Sequence, residues 1–442
     1  MKQKKESPKK KVSSSGFVFQ TPRGMHDVLP QEQPWVDRIE KTVKELADFY
    51  NFGRIETPIM ESADLFQKTI GGETDIILKE MYVLKTKGGD NLALRPEGTA
   101  PIVRAYAEHG LGSLGQPQKL FYIGPFFRHE NPQAGRYRQF SQVGFEVLSG
   151  VNDAIYDAQV ILIFDRILKA LKIKGVNLKI NSIGCKVCRP GYKKQLQAYY
   201  KRHEEEICKN CETRLKDNPL RLLDCKSHDC QPLKEKAPNF LDKICSSCRS
   251  HLRLVLEYMD ELGIPYEMDN LLVRGLDYYS QTVFEFFAEG SAGALAGGGR
   301  YDYLMEFLGG RPMPAVGGAA GIERLVEIMK IQELKLPART PKKVFIIHVG
   351  ELAKKKSLNI IEELRQAGIS VAEALGKESV KAQLKVADKQ GCLMAIIFGQ
   401  KEIFEESVIL RDLRTGLQET VILAKMVSEI QKRLKDKPIE TK

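Results

Sequence analysis

The sequence predicts an α+β fold in two folded parts, a larger one built on an antiparallel sheet and a smaller α/β domain at the C-terminus. Two strand-like runs, 120–128 and 138–148, flank a polar loop with glycine and proline, which is typical of an antiparallel hairpin. After residue 343, strand-like and helix-like segments alternate, as they do in α/β domains. A segment with two prolines, 333–342, indicates a linker. A chain of 442 residues is also longer than one compact core usually holds.

The larger part, 16–332, is predicted to begin with a helix, because Val36, Ile39 and Val43 recur at helical spacing. Its predicted elements are helix 34–51, extended runs 54–60 and 92–96, helix 99–109, strands 120–128 and 138–148, strand 271–287 and helix 322–331. The smaller part, 343–442, is predicted to hold strands 344–349, 369–372 and 393–398 separated by helices. That alternation favours a mostly parallel sheet.

Residues 175–262 differ from their surroundings because they are charged and rich in cysteine, and we predict a largely helical insertion there. Most of its cysteines form pairs with two residues between them. The set comprises Cys185, Cys188, Cys208, Cys211, Cys225, Cys230, Cys245 and Cys248. Such pairs can supply one or two tetrahedral zinc sites of four thiolates each. Reduced, buried thiols without a metal fit the same pattern.

Charge and composition narrow the classes of function. The chain carries 68 Lys and Arg against 57 Asp and Glu, a net charge of +11, which favours a polyanionic partner. A basic protein with no nucleic-acid role fits equally. Residues 1–15, with six lysines and one glutamate, are predicted to be a disordered basic tail. Since neither a membrane-spanning stretch nor a signal sequence is recognisable, a cytoplasmic protein without membrane contact is expected.

The predicted hairpin offers polar side chains to a ligand. Alternation along a strand puts Gln142 and Glu146 on one face, with Gly144 between them leaving a gap, and puts Val143 on the core face. Arg128 on the adjoining strand adds a fixed positive charge. A solvated sheet face with a surface ion pair fits the same residues.

Three further segments suit a charged substrate. Residues 94–99 read Leu-Arg-Pro-Glu-Gly-Thr, so Glu97 and Thr99 either cap the following helix or present oxygens to an ammonium group. Residues 274–279 read Arg-Gly-Leu-Asp-Tyr-Tyr, and residues 297–302 read Gly-Gly-Gly-Arg-Tyr-Asp. Glycine allows close approach of a ligand, and arginine binds phosphate or carboxylate. Glycine turns between strands fit the same two segments.

In this order, the segments resemble the class II aminoacyl-tRNA synthetases, and among them the histidyl-tRNA synthetases. Residues 124–146 resemble motif 2 of the class, and residues 315–325, which read Ala-Val-Gly-Gly-Ala-Ala-Gly-Ile-Glu-Arg-Leu, resemble motif 3. Motif 1 corresponds to the segment around 54–58. The two histidine-specific signatures match 272–279 and 296–302. The resemblance covers nearly the whole chain.

The resemblance implies the site residues. It implies that histidine is bound by Glu97, Thr99, Arg128, Gln142, Glu146, Arg274, Tyr278, Tyr279 and Tyr301. Glu97, Thr99 and Gln142 would hold the amino group, and Glu146 and Tyr279 would contact the imidazole. The catalytic cations would be Arg128 and Arg274, placed on the α-phosphate of ATP. ATP would be bound by Arg128, Arg136 and Arg324.

The resemblance also implies substrates and partners. Histidine and ATP with Mg²⁺ would give histidyl-adenylate, and the histidyl group would then pass to tRNA(His). A homodimer with motif 1 at its interface is expected, as is anticodon binding by residues 343–442. The motif 2 loop, which contacts the tRNA acceptor end in this family, includes Gln133. It carries Asn131 where arginine is common, which leaves acceptor recognition open.

Two other classes of protein resemble parts of the chain. One is a non-catalytic regulatory subunit of histidine biosynthesis, and the other is a tRNA-sensing module. Regulatory subunits usually lack the anticodon domain and lose signature residues, whereas this chain keeps Arg128, Arg274 and Arg324 and continues through 343–442. Some tRNA-sensing modules are part of a protein kinase, but the sequence shows no kinase domain. Any metal in the insertion is expected to be structural, since adenylation chemistry has no place for it.

Overall fold

The chain divides between residues 336 and 337 into two units, Met1–Leu336 and Pro337–Lys442. A computed structural model describes residues 19–71, 74, 76–132, 135–336 and 344–435. The predicted basic tail, 1–15, and most of the predicted linker lie outside these described residues. No helix in the described ranges combines the length and apolar character needed to cross a membrane.

The first unit contains two sheets and ten α-helices among its described residues. Its strands are β1 Gly53–Arg54, β2 Met60–Ser62, β3 Val83–Lys85, β4 Asn91–Leu94, β5 Gln118–Phe127, β6 Gln139–Leu148, β7 Val176–Ser182, β8 Tyr266–Met268, β9 Ser280–Ala288, β10 Ala296–Arg300 and β11 Ala315–Gly321. Its helices are α1 Gln33–Phe49, α2 Ala63–Ile70, α3 Thr99–Glu108, α4 Ala154–Ala170, α5 Arg189–Lys201, α6 Lys209–Asp217, α7 Gln231–Glu235, α8 Ser246–Glu261, α9 Leu304–Phe307 and α10 Ile322–Ile331.

The larger sheet has eight strands in the order β1-β5-β6-β11-β10-β9-β7-β8. Its interior pairs are antiparallel, and the two edge pairs, β1 with β5 and β7 with β8, are parallel. A smaller antiparallel sheet has the order β2-β4-β3. Antiparallel sheets combined with separate helices confirm the predicted α+β class.

The predicted hairpin is confirmed. Strands β5 and β6 pair without a bulge from Gln118 opposite Leu148 to Phe127 opposite Gln139. Val143, Phe145 and Val147 are fully buried in one hydrophobic core together with residues of α1 and α4. The alternation of side chains therefore turns Glu146 to the opposite face of the sheet.

The insertion starts later than predicted. Residues 176–182 form β7, which lies between β9 and β8 in the large sheet, and Leu178 and Ile180 of this strand are buried. The lysine and asparagines of this strand made it appear part of the charged insertion. The chain leaves the sheet after Ser182 and returns at β8, and helices α5 to α8 lie in between.

The glycine-rich segments are strands rather than turns. Residues 296–300 form β10 and residues 315–321 form β11, and these two strands pair directly, with Gly298 opposite Gly318. Residues 271–279, in which strand character was expected, form a loop that precedes β9. The histidine signature at 272–279 therefore lies in a loop beside the sheet.

The second unit has a five-stranded mixed sheet in the order β13-β12-β14-β15-β16. Its strands are β12 Val344–His348, β13 Val371–Glu373, β14 Met394–Phe398, β15 Ser407–Asp412 and β16 Gln418–Ile422. Its helices are α11 Glu351–Gln366, α12 Val380–Lys389, α13 Gln400–Phe404 and α14 Met426–Lys435. The first three strands are parallel as predicted, but β15 and β16 pair antiparallel, so the prediction of a mostly parallel sheet is wrong for its second half.

Candidate active site

Glu146 lies at the centre of the candidate site and has no solvent exposure. Its Oε1 accepts a hydrogen bond from the Thr99 hydroxyl at 2.8 Å, and its Oε2 accepts one from the Tyr301 hydroxyl at 2.5 Å. A Cβ atom on Gly317 of β11 would lie 1.6 Å from this Oε2, so glycine is needed there. Burial raises the pKa of Glu146 to about 8, although both hydroxyl donors oppose the shift.

Glu97 lies next to this group at the start of α3. Its carboxylate accepts hydrogen bonds from the backbone N–H of Thr99 at 2.7 Å and of Ala100 at 2.9 Å, so it caps the helix. The Tyr278 hydroxyl donates to the same carboxylate at 3.2 Å. Burial raises the pKa of Glu97 as well. Glu97 therefore satisfies the first N–H groups of α3, and the tyrosine contact joins the same carboxylate to the histidine signature.

Three tyrosines from the two signatures form one side of the site. The Tyr278 ring centroid lies 4.7 Å from that of Tyr279 and 5.9 Å from that of Tyr301, and all three residues are buried. The gap expected over Gly144 is filled by a fourth ring, because a Cβ atom there would lie 2.2 Å from the Tyr122 ring. The space predicted for a ligand over Gly144 is therefore occupied by the protein itself.

Two cations border the pocket. Arg128 donates from Nε to the carbonyl oxygen of Pro96 at 2.9 Å, directly before Glu97. Arg274 pairs with Glu285, and its guanidinium lies 5.6 Å from the centroid of the Tyr279 ring. A Cβ atom on the opposing Gly297 would lie 2.4 Å from Arg274 Nη1, so the second signature makes room for the cation of the first.

The Arg274 side chain keeps unmet hydrogen-bonding capacity. Its Nε is buried and has no partner among the described residues. A buried donor without an acceptor is costly, and it is typical of a site that a ligand completes.

A second pair of arginines lies further along the hairpin. Arg136 contacts Glu130 at 3.3 Å, and Arg324 donates from Nε to the carbonyl oxygen of Gly135 at 2.9 Å. Burial lowers the pKa of Arg324, and the charges of Arg136 and Arg128 act in the same direction. The three predicted ATP cations therefore lie within electrostatic range of one another.

Two predicted residues remain outside this network. Gln142 is half-buried on the face of β6 that carries Glu146, and its side chain makes no hydrogen bond within the described part of the chain. Its amide is therefore available to a ligand. Gln133 lies outside the described residues, and Asn131, two residues earlier, is exposed.

Comparison with known proteins identifies the family. A family model described as histidyl-tRNA synthetase matches residues 24–325, and one described as anticodon binding domain matches residues 343–433. The chain belongs to the histidyl-tRNA synthetase family. Both matches agree with the resemblance found in the sequence, and together they cover both structural units.

Relatives in the histidyl-tRNA synthetase family match over nearly their whole length. The histidine–tRNA ligase of Dehalococcoides mccartyi is 43% identical over 94% of this chain and 100% of its own length. That of Halothermothrix orenii is 45% identical over 93% of this chain and 98% of its own length. The crystal structure of apo S. aureus histidyl-tRNA synthetase superposes with a TM-score of 0.77 at 34% identity, covering 93% of this chain and 99% of that one.

Membership of the histidyl-tRNA synthetase family weighs against the alternatives. The relatives named histidine–tRNA ligase cover the C-terminal unit as well as the first one, whereas a regulatory subunit usually lacks that part. The regulatory-subunit interpretation is therefore less well supported. Tyr278, Tyr279, Tyr301 and Arg274 of the two signatures also lie together in the candidate site.

The eight cysteines of the insertion fall into two groups, neither of which belongs to the pocket. One group comprises Cys185, Cys188, Cys245 and Cys248, and the other comprises Cys208, Cys211, Cys225 and Cys230. Within each group the sulfur atoms all lie within 4.8 Å of one another. Each is a candidate metal centre.

Sequence reasoning missed the acidic partners of the cations. Glu285 pairs with Arg274 and Glu130 with Arg136. A signal for Glu285 was present, since it is a single charge within the apolar run 283–287. Arg300, by contrast, offers no charge to a ligand, because it is fully buried and paired with Asp157 at 2.6 Å.

Proposed function

We propose that this chain joins L-histidine to tRNA(His) in two steps and is a histidine–tRNA ligase in the cytoplasm. In the first step a histidine carboxylate oxygen bonds to the α-phosphorus of ATP, and the bond to the β-phosphate breaks to release diphosphate. In the second, the terminal ribose hydroxyl of tRNA attacks the adenylate carbonyl and AMP leaves. The observation that carries this proposal is one buried hydrogen-bonded network in which Glu97, Thr99 and Glu146 adjoin the signature tyrosines, with Arg128 and Arg274 next to it.

The pocket can recognise each polar group of histidine. Glu97, Thr99 and Gln142 bind the amino group, and Glu146 with Tyr279 binds the imidazole. Because burial raises the pKa of Glu146 to about 8, its carboxyl group can donate a hydrogen bond to the imidazole when protonated or accept one when ionised. Such buried polar groups reject amino acids that leave them unpaired, by factors of roughly 10⁴–10⁵.

The cations suit the phosphate chemistry. Arg128 and Arg274 stabilise the charge that develops on the α-phosphate, and Arg136 and Arg324 bind the rest of ATP. Synthetases of this family use ATP with Mg²⁺, which screens the phosphates. Glu130 and Glu285, the carboxylates paired with these arginines, would offer the oxygen ligands that Mg²⁺ prefers. Their arrangement holds the arginines in place before ATP binds.

The tRNA contacts are assigned to two regions. Residues 343–433, which match the anticodon binding domain model, bind the anticodon, and the motif 2 loop with Gln133 contacts the acceptor end. The net charge of +11 supports binding of a polyanion. Exposed Asn131 offers the acceptor end an amide instead of a charge.

We also propose that the chain acts as a homodimer with the motif 1 region at the interface. Strand β1 lies at the edge of the large sheet. Large apolar side chains close to it in sequence are exposed, since Phe49 is 79%, Ile59 45% and Met60 48% accessible. A dimer contact in this region would remove such apolar surface from water. Sedimentation equilibrium of the full chain should give twice the chain mass, whereas a concentration-independent monomer would contradict this.

Charging of tRNA tests the proposed function. The full chain, incubated with ATP, Mg²⁺ and labelled histidine, should form labelled tRNA from a tRNA(His) transcript and not from a tRNA of another identity. A matched Glu146→Gln variant should charge far less. Failure of the wild-type chain to charge tRNA(His) would contradict the assignment.

A further inference from the structure

Eight cysteines form two separate groups in the insertion, and the proposed function uses neither. We propose that each group binds one structural zinc ion through four thiolates, so that the chain carries two. The first site comprises Cys185, Cys188, Cys245 and Cys248, and the second comprises Cys208, Cys211, Cys225 and Cys230.

The sulfur spacing fits tetrahedral zinc. Zinc–sulfur bonds of about 2.3 Å give a tetrahedron with edges of about 3.8 Å. In the first site the Sγ of Cys185 lies 3.8 Å from the Sγ atoms of both Cys188 and Cys245, and Cys188 lies 3.8 Å from Cys248. The sulfur atoms are too far apart for disulfides, whose bond is about 2.05 Å.

The second site repeats this spacing with different residues. Cys208 lies 3.8 Å from Cys225, and Cys211 lies 3.9 Å from Cys230, both measured between Sγ atoms. Both groups of cysteines have the sulfur–sulfur distance of a zinc tetrahedron. Thiols that pack only as small apolar side chains are not expected to reach it twice.

Backbone amides point at the sulfur atoms, as they do around thiolate ligands. In the first site the N–H of Cys185 donates to Cys188 Sγ at 3.3 Å. In the second, the N–H of Cys208 donates to Cys230 Sγ at 3.3 Å and that of Ser227 to Cys225 Sγ at 3.4 Å. Hydrogen bonds of this kind orient metal ligands and disperse their negative charge.

The local fold gives zinc a structural task. Between α5 and α8 the chain forms only short helices and 3₁₀ turns, including Pro219–Asp224, His228–Cys230 and Phe240–Asp242. Segments this short are not stable by themselves even where they bury side chains such as Leu222 and Phe240, and metal binding commonly supplies folding free energy to such regions. The first site ties the start of α5 to the start of α8, and the second closes the shorter loop between them.

The two sites lie beside the loop that carries the histidine signature. Arg189, which follows Cys188, donates to the carbonyl oxygens of Gly184 at 3.1 Å and of Tyr279. Arg221, in the 3₁₀ turn between Cys211 and Cys225, donates to the carbonyl oxygens of the signature loop at Arg274 and Gly275. The zinc ions thus support the backbone that positions the signature residues. This effect on the signature rests on the proposed function. The number of zinc ions bound per chain is independent of that function.

Metal analysis of the full chain tests the two sites. Protein purified under argon without chelators should contain two zinc ions per chain. Cys248→Ser and Cys230→Ser should each lower the content to one, and the control Cys392→Ser, at the ninth cysteine, should keep two. Metal-free protein with nine reactive thiols, or with the eight cysteines in disulfides, would overturn the proposal.

Cobalt provides a second measurement that does not depend on the stability of a variant. The wild-type chain, produced with Co²⁺ in place of zinc, should bind two ions and show thiolate-to-cobalt charge transfer with the visible absorption of tetrahedral cobalt. Bound cobalt with octahedral absorption and no charge-transfer band would overturn the assignment of four thiolates.

Discussion

Buried carboxyl groups determine the properties of the pocket at the scale of single residues. Glu97 and Glu146 are both nearly inaccessible, and their partners are hydroxyl and amide donors instead of cations. Burial therefore acts against their charged forms. A positively charged ligand next to these carboxyl groups would offset that cost.

The raised pKa of Glu146 predicts how stability depends on pH. The folded pKa of about 8 lies above the ordinary value of 4.5 for this group, so the folded chain holds more protons between these pH values and its stability falls as pH rises through them. Glu146→Gln should remove this contribution. Without ligands, the variant should gain up to a few kcal/mol relative to wild type between pH 5 and pH 8.5.

Thermal unfolding at both pH values measures this effect. The control Glu257→Gln, at an exposed site on α8, should follow the wild type. If the unfolding temperatures of wild type and Glu146→Gln depend equally on pH, ionisation of Glu146 in the folded chain costs little free energy.

Arg274 is expected to act on the transition state. Arg274→Ala should lower the single-turnover rate of adenylate formation by roughly 10²–10³-fold, the usual effect of losing one preorganised charge-stabilising group. The exposed Arg253→Ala on α8 serves as the control. Near-normal adenylation in a folded Arg274→Ala variant would mean that Arg274 is only the structural partner of Glu285.

At the scale of elements, a helix or strand was predicted well where residues close in sequence determine it, and poorly where residues distant in sequence do. The β5–β6 hairpin was predicted closely because alternation and a polar loop are local signals. Strands β10 and β11 were not, because their glycines are set by neighbours distant in sequence. Gly297 faces Arg274 and Gly317 faces Glu146. The grouping of the cysteine pairs is equally non-local. Cys185 contacts Cys245, although all four cysteines of the second group lie between them in the sequence.

The insertion is expected to influence histidine binding through Arg221. Arg221→Ala removes donors to the signature loop and should raise the KM for histidine roughly tenfold, the usual effect of losing a charged hydrogen bond. The KM for ATP should change little, and Arg221→Lys should restore part of the affinity. The exposed Arg202→Ala serves as the control. Equal effects on both substrates would indicate general loosening instead of positioning.

At the scale of the whole molecule, the proposed chemistry divides between the two units. All candidate histidine and ATP residues precede residue 337, and the first unit has hydrophobic cores of its own. The class of fold followed from the sequence, because the alternation of strand-like and helix-like segments is a local signal. The antiparallel β15–β16 pair did not, because its short apolar runs, 408–410 and 421–422, lie among charged residues without a clear period.

Truncation after Leu336 tests this division. The shortened chain should still form histidyl-adenylate, but its charging of tRNA(His) should fall strongly because the anticodon contacts are lost. Charging at the full rate would show that residues 343–433 do not bind the anticodon.

The most direct test of the account is ATP–pyrophosphate exchange by the wild-type chain with each of the twenty amino acids in turn. The buried network of Glu97, Thr99, Glu146 and the signature tyrosines predicts exchange that depends on histidine, with the others near background. Exchange stimulated by another amino acid and not by histidine would contradict the assignment of this pocket.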